Sequence, residues 1–487
     1  MNKNNQTKEV LSMNNLKKYG LFLGPLAFLL VLFMPQLEGL SEMGQSVLAV
    51  STFMVIWWAT EPFPLGLTAL LPIVLFPILN VDVDFLASYA HWVVVLIVSV
   101  FWLGAAIEKW GLHKRLAYML LKLFGSKPKA ILLGFISSAG ILSMFMSNTT
   151  AVAMMIPIIF ALVSEVSKYD DSIKAKLGSA LMVGTAFGSS IGGIGTPIGT
   201  GTNMAGIALI SELTGNEISF LAWMRFAVPF VVILLPLLWF FLVKLFKLDT
   251  IKLDIDSEII QKELDALGRM NRGEFNTLVV FSIAILLWVT KEAWGDLFPT
   301  IGDHTIGAIA CALLFLAPVN FSEGEFTLDF NSAIGNTPWN VVFLVGGALA
   351  MGGAIAASGV ADWIGYLLEG IGTYPELVVI ILFAVIIAFI SEVATNMVVA
   401  AVFIPIVAGL APELGVDPAM LMLTVTVASG FAFMLPQGTP PTALAYSSGL
   451  SDAKTIMFAG FLTKLICLAV LPIVLYAVRA LGLITFM

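Results

Sequence analysis

The sequence predicts an all-α polytopic membrane protein with about eleven transmembrane helices, two re-entrant helix hairpins and two structural repeats. Three observations carry this reading. Of 487 residues, 59% are hydrophobic and only 11% charged, less than half the roughly 25% of a soluble globular chain. The apolar residues fall in runs long enough to cross hydrocarbon, which takes roughly 20 residues at about 1.5 Å each. The less regular runs among them come in two matching sets. The net charge of −8 is spread over loops and calls for no nucleic-acid partner.

The polar stretch 1–19 precedes an apolar run at 20–34 with no clear small-residue cleavage site after it, so this run reads as the first membrane helix and not as a signal peptide. Regular apolar runs follow at 46–60, 64–80, 91–107, 226–246, 275–293, 304–319, 375–391 and 455–482. Irregular ones, broken by Gly, Pro, Ser, Thr and Asn, fill 130–165, 176–213, 333–357, 395–411 and 418–450. The stretch 111–125 mixes Lys114, Arg115 and Lys122 with Leu116, Met119, Leu120, Leu121 and Phe124, the composition of a helix lying in the headgroup plane. Residues 360–371 stand in the same place in the second half. The 247–273 loop is the most polar stretch and reads as a cytoplasmic amphipathic connector. Lys3, Lys8, Lys17 and Lys18 precede the first run, and basic clusters follow 91–107 and 226–246, while the 37–45 loop carries only acids. The positive-inside rule then puts the N-terminus in the cytoplasm, with the protein in the cytoplasmic membrane.

The repeat shows in landmarks. Trp92 and Trp339 open similar runs that end at Gly111 and Gly359. Ser147 is as far beyond Gly111 as Thr395 is beyond Gly359. Ser147 opens SNTTAVAMMIPI and Thr395 opens TNMVVAAVFIPI, with Pro157 and Pro405 in register; TGTN at 200–203 and TPPT at 439–442 follow. Duplicated halves are common in secondary transporters, whose sites lie between them near the midplane.

The chemistry concentrates at those landmarks. Three consecutive polar residues, Ser147, Asn148 and Thr149, are costly in a membrane unless satisfied. The device recurs at Thr395 and Asn396. A helix restarting there exposes free N–H groups and the positive end of its dipole, which can hold a carboxylate without any buried Lys or Arg. The carbonyls freed by each break suit Na⁺. The hairpin segments 192–200 and 436–441, rich in Gly and Pro, cannot be ordinary helix, and irregular backbone at membrane depth lines a cavity or is buried in protein. Two acids at the ends of apolar runs, Glu61 and Glu392, are open between structural and functional roles. His91, His113 and His304 are scattered, and Cys311 and Cys467 lie in apolar runs. No nucleophile–base pair or metal set emerges, so the chain is not expected to be an enzyme, and no cofactor is called for beyond Na⁺ as a coupling ion.

The stretches WWATEPFPLGLTALLPI at 57–73, MSNTTAVAMMIPI at 146–158, GGIGTPIGTGTN at 192–203, SEVATNMVVAAVFIPI at 391–406 and FMLPQGTPP at 433–441 resemble the divalent anion–sodium symporters (the DASS family). The resemblance implies a homodimer in membrane lipid, a fixed scaffold domain and a transport domain moving as an elevator. It implies substrate contacts at Ser147, Asn148, Thr149, Thr200, Thr395, Asn396, Thr439 and Pro440. It implies Na⁺ contacts, in symporting members, at Ser143, Ser147, Asn148 and Gly199 and at Ser391, Ala394, Asn396 and Gly438. Scaffold spans would fill 20–110 and 226–332, an interfacial arm 111–125, and transport halves 126–225 and 375–453. The second repeat and second arm would start in 333–374, and a C-terminal span would fill 454–487. The implied activity is transport of C4–C5 dicarboxylates (the succinate, fumarate, malate and 2-oxoglutarate class) by Na⁺ symport or by exchange, with sulfate or tricarboxylate as the alternative. Three departures stand out: Met397 where the motif has threonine, Gly201-Thr202 where it has two prolines, and Thr442 where it has asparagine.

Overall fold

A computed structural model of the chain describes residues 15–166, 171–251, 258–367 and 374–483. Lys3 and Lys8, the middle of the 247–273 connector, the end of the 360–371 segment and the last four residues lie outside the described residues. Helices dominate what is described, and nine of them are long and apolar enough to cross a membrane. Their outward faces carry large apolar side chains, among them Val95, Phe160, Val232, Phe240, Leu286 and Ile473. A contiguous apolar exterior of this kind belongs against lipid, and the chain is an integral membrane protein.

Several expected runs divide for local reasons. The run 64–80 forms two short helices, Leu65–Thr68 and Leu71–Ile78. Pro72 has no N–H to return to the Thr68 carbonyl, so the ladder stops there; Gly66 lets the first piece press on the backbone of Asn340, where a Cβ would meet Cα at 2.9 Å. The run 130–165 breaks into Pro128–Ser143 and Asn148–Val166. The 375–411 stretch likewise breaks into Glu376–Ile390 and Asn396–Glu413. Glu61 ends Glu42–Thr60 in the left-handed region (φ 46°), its N–H returning to the Trp57 carbonyl. One feature has no signal in the sequence pattern: a small antiparallel ribbon pairing Pro318–Asn320 with Glu325–Phe326.

The first hairpin lies deepest. Its descending helix is buried continuously from Leu177 to Gly195 because glycine lets it sit directly on Pro128–Ser143: a Cβ on Gly192 would fall 2.1 Å from the Gly140 carbonyl oxygen. The second hairpin runs down Pro418–Ser429, turns through 430–439 and returns as Pro440–Ser447.

The long helices Trp92–Trp110 and Trp339–Ala357 both run into a glycine at positive φ, Gly111 at 75° and Gly359 at 76°. Short helices follow each, Leu112–Lys122 and Val360–Leu367. Composition alone spreads the basic residues of the first over headgroups, but Arg115 is buried. Its Nε and Nη2 donate to the two Glu274 carboxylate oxygens at 2.9 and 3.1 Å, and Nη1 donates to the Gly268 carbonyl. Glu274 also closes the capping box that starts Arg272–Trp294. The helix Leu112–Lys122 is therefore tied to Gly268 and Glu274, while Met119 and Leu123 face outward.

Candidate functional site

Four helix N-termini converge on one cavity of about 620 Å³. They belong to Asn148–Val166, Gly201–Thr214, Asn396–Glu413 and Pro440–Ser447. Each is preceded by a hydroxyl residue: Ser147, Thr200, Thr395 and Thr439. Three of these cap their helices by accepting from backbone N–H groups: Ser147 Oγ from Thr150 (3.1 Å), Thr200 Oγ1 from Asn203 (3.1 Å) and Thr439 Oγ1 from Thr442 (3.4 Å). Thr395 makes no such bond, which leaves its hydroxyl and the first N–H groups of its helix for a ligand. Pro440 and Pro441 remove two donors from the fourth start and present ring carbons to the cavity instead. All eight residues named as substrate contacts, Ser147, Asn148, Thr149, Thr200, Thr395, Asn396, Thr439 and Pro440, line this cavity. No Lys or Arg does, and Glu108 is the one charged side chain on the wall among the described residues. With roughly half a positive charge at each helix start, the walls suit an anion.

Behind the walls the helix breaks gather neutral oxygens. In the first half, Ser143 is fully buried and its Oγ donates to Asn148 Oδ1 or to the Ser189 carbonyl. A Cβ on Gly199 would lie 2.1 Å from the Gly193 carbonyl oxygen, so only glycine permits this tight double turn. In the second half, Ser391 is fully buried with its Oγ bonded to the Ala388 carbonyl. Asn396 Oδ1 is buried with no hydrogen-bond partner. A buried amide oxygen without a donor costs about 1–3 kcal/mol, and a cation would satisfy it. Gly199, Gly438, Ser147, Asn148 and Asn396 reach the cavity, whereas Ser143, Ser391 and Ala394 stand behind it. The described residues hold no cluster of three His, Cys, Asp or Glu side chains for a transition metal. Uncharged oxygens of this kind fit Na⁺.

A family model described as the sodium:sulfate symporter transmembrane region matches residues 16–483. The chain belongs to this family. It is a transporter and not an enzyme. A sodium-dependent dicarboxylate transporter, SdcS of Staphylococcus saprophyticus, is 36% identical over 96% of this chain and 92% of its own length. SdcS of Staphylococcus aureus is 34% identical over 94% and 90%. The YdaH transporter of Alcanivorax borkumensis superposes with a TM-score of 0.60 at 13% identity, covering 89% of this chain and 98% of that one; this likeness concerns the fold alone.

Where the chain departs from the family motif, two departures meet. A Cβ on Gly201 would lie 2.2 Å from Met397 Cε, so the thioether from the second half occupies the space that a proline would need in the first. The third departure, Thr442, pairs its hydroxyl with Thr439 Oγ1. Its counterpart Asn203 does more, donating Nδ2 to the Gly193 (2.9 Å) and Thr196 (2.8 Å) carbonyls and so holding the first hairpin. The second hairpin is held by Glu392, whose carboxylate accepts from the N–H groups of Phe433, Met434 and Leu435 at 2.9–3.1 Å. Glu392 is thus a brace. Sequence reasoning missed three residues here. Asn203 carried a signal, being the last letter of TGTN. Glu108 accepts from Thr150 Oγ1 (2.8 Å), which bonds Ser147 Oγ (2.9 Å); Lys464, paired with Glu392, lies in a run otherwise read as an apolar span.

Proposed function

We propose that the protein carries C4–C5 dicarboxylates of the succinate, fumarate, malate and 2-oxoglutarate class across the cytoplasmic membrane by Na⁺ symport. The observation that carries this reading is the convergence of four helix starts, two from each half and three of them capped, on a cavity without a basic side chain. Paired starts offer two carboxylate seats, and together their dipoles amount to roughly two positive charges. The names of the two SdcS relatives, 34% and 36% identical, support dicarboxylate over sulfate as substrate and Na⁺ symport over exchange.

In this mechanism Na⁺ at the two helix breaks ties each break shut before the dianion arrives. Ser143, Ser147, Asn148 and Gly199 hold one ion, and Ser391, Ala394, Asn396 and Gly438 hold the other. The amide N–H of each Asn and the neighbouring hydroxyls then face the substrate. Transport halves 126–225 and 375–453 move as one body against scaffold spans 20–110 and 226–332, in an elevator motion within a homodimer whose N-termini are cytoplasmic. Arms 111–125 and 360–371 join the two parts. The test is labelled succinate uptake into proteoliposomes. Uptake that requires an inward Na⁺ gradient and is competed by fumarate and malate is expected. Uptake that ignores Na⁺ but requires internal dicarboxylate would replace symport by exchange, and sulfate as the better competitor would replace the substrate.

A further inference from the structure

Midway along the C-terminal helix Ala453–Ala480, Lys464 is 0% exposed. Its Nζ donates to Glu392 Oε1 at 2.7 Å and to the Ala388 carbonyl at 2.7 Å, and it stands 4.5 Å from the centre of the Phe389 ring. Ala388 is in the last turn of Glu376–Ile390, where carbonyls lose their helical partners and a cation is favoured. One turn before Lys464, Gly460 lies against the second hairpin: a Cβ there would be 2.2 Å from the Phe433 carbonyl oxygen. The C-terminal helix, the helix before the break and the hairpin turn are thus joined at one ion pair.

The pair is also next to the second cation seat. Glu392 lies between Ser391 and Ala394, and a Cβ on Gly438 would be 3.2 Å from Glu392 Oε2. The matching position in the first half is Met144, and the first hairpin is braced there by neutral bonds from Asn203, Trp223 Nε1 and Thr196. A fixed charge has therefore been built beside one seat and balanced on the spot.

We propose that Lys464 and Glu392 are the positioning pair of the second cation seat. Glu392 shapes the 430–439 turn, and Lys464 cancels its charge, so that the seat holds Na⁺ through neutral oxygens loosely enough to release it. This rests on the Na⁺ reading above. A lone carboxylate a few ångströms from the seat would hold the ion too tightly, and a lone ammonium would repel it. At that range either unbalanced charge is worth at least about a tenfold change in affinity.

The experiment uses the full chain at alkaline pH, with two readouts: the Na⁺ concentration giving half-maximal thermal protection of the purified protein, and the half-saturating Na⁺ for uptake. Lys464→Met should lower both at least about tenfold, Glu392→Gln should raise both, and the double variant should return near the parent. Lys464→Gln keeps a donor to both oxygens and covers the case in which Lys464→Met does not fold; it should also lower both values. Opposite shifts are not produced by a general loss of packing. Shifts in the same direction, or an unchanged or raised value in the Lys464 variant recovered, would overturn the proposal. A parent with neither Na⁺ protection nor Na⁺-dependent uptake would overturn the Na⁺ reading beneath it.

Discussion

Asn148 and Asn396 occupy matching positions, but their side-chain oxygens differ in state. Asn148 Oδ1 takes the Ser143 hydroxyl, while Asn396 Oδ1 has no donor. Both amides line the cavity, where the proposed cation seats and substrate site would share a wall. Asn148→Ala and Asn396→Ala should each cut the initial rate of uptake at least tenfold at equal membrane expression, as the loss of hydrogen bonds to charged partners implies. Normal uptake by either variant would remove that residue from the site. Met397 tests shape instead. Its thioether lies over Gly201 and narrows the second seat, so Met397→Thr should make a bulkier dicarboxylate compete with succinate about tenfold better, the scale of one methylene in a pocket. The motif residues were legible because polar triplets in an apolar run have few structural uses, and because they occur twice. Lys464 and Glu108 were not, since each meets its partner from a distant part of the chain and neither belongs to a repeated pattern.

The helices carry the site only because their ends are placed by close backbone approach. Gly192 touches Gly140 and Gly199 touches Gly193 at distances that leave no room for a methyl group. Backbone cannot yield as a flexible side chain can, so Gly192→Ala should destabilise the protein by about 1–3 kcal/mol or more. Gly353 offers the control. It lies within Trp339–Ala357, and a Cβ there would meet only Glu212 Oε1 at 3.9 Å, so Gly353→Ala should be neutral or stabilising by up to about 1 kcal/mol. Thermal unfolding in detergent compares the two; equal melting temperatures would mean the Gly192 contact relaxes at no cost. At this scale the sequence located both helix breaks and both hairpins through Gly, Pro and hydroxyl punctuation. It misjudged the run 64–80, where hydropathy is continuous and Pro72 interrupts the hydrogen bonding between the two short helices. It also treated Arg115 as a headgroup contact, because amphipathic composition does not reveal a buried partner on another helix.

Over the whole molecule the question is charge. In the proposed cycle a dianion crosses in a cavity whose wall carries Glu108 and no basic side chain. Helix dipoles oppose its charge only in part, because Pro440 and Pro441 withhold two donors and three caps already take up N–H groups. Moving an uncompensated charge through a low-dielectric interior costs several kcal/mol or more. The Lys464–Glu392 pair cannot supply the missing charge, since it is internally balanced and turned toward the hairpin backbone. Two Na⁺ ions in the oxygen seats behind the cavity would neutralise a dicarboxylate, and a third would make the loaded carrier positive. Uptake of succinate should therefore be almost absent in vesicles lacking both Na⁺ and internal dicarboxylate, and should appear when Na⁺ alone is added outside. The dependence on Na⁺ should be steeper than first order, because both seats must fill before the carboxylates bind. Initial rates measured against external Na⁺, with no pH gradient to supply protons, check both points. Rapid uptake without either ion or counter-substrate would mean that the helix starts alone carry the dianion, and the oxygen seats would then need another occupant.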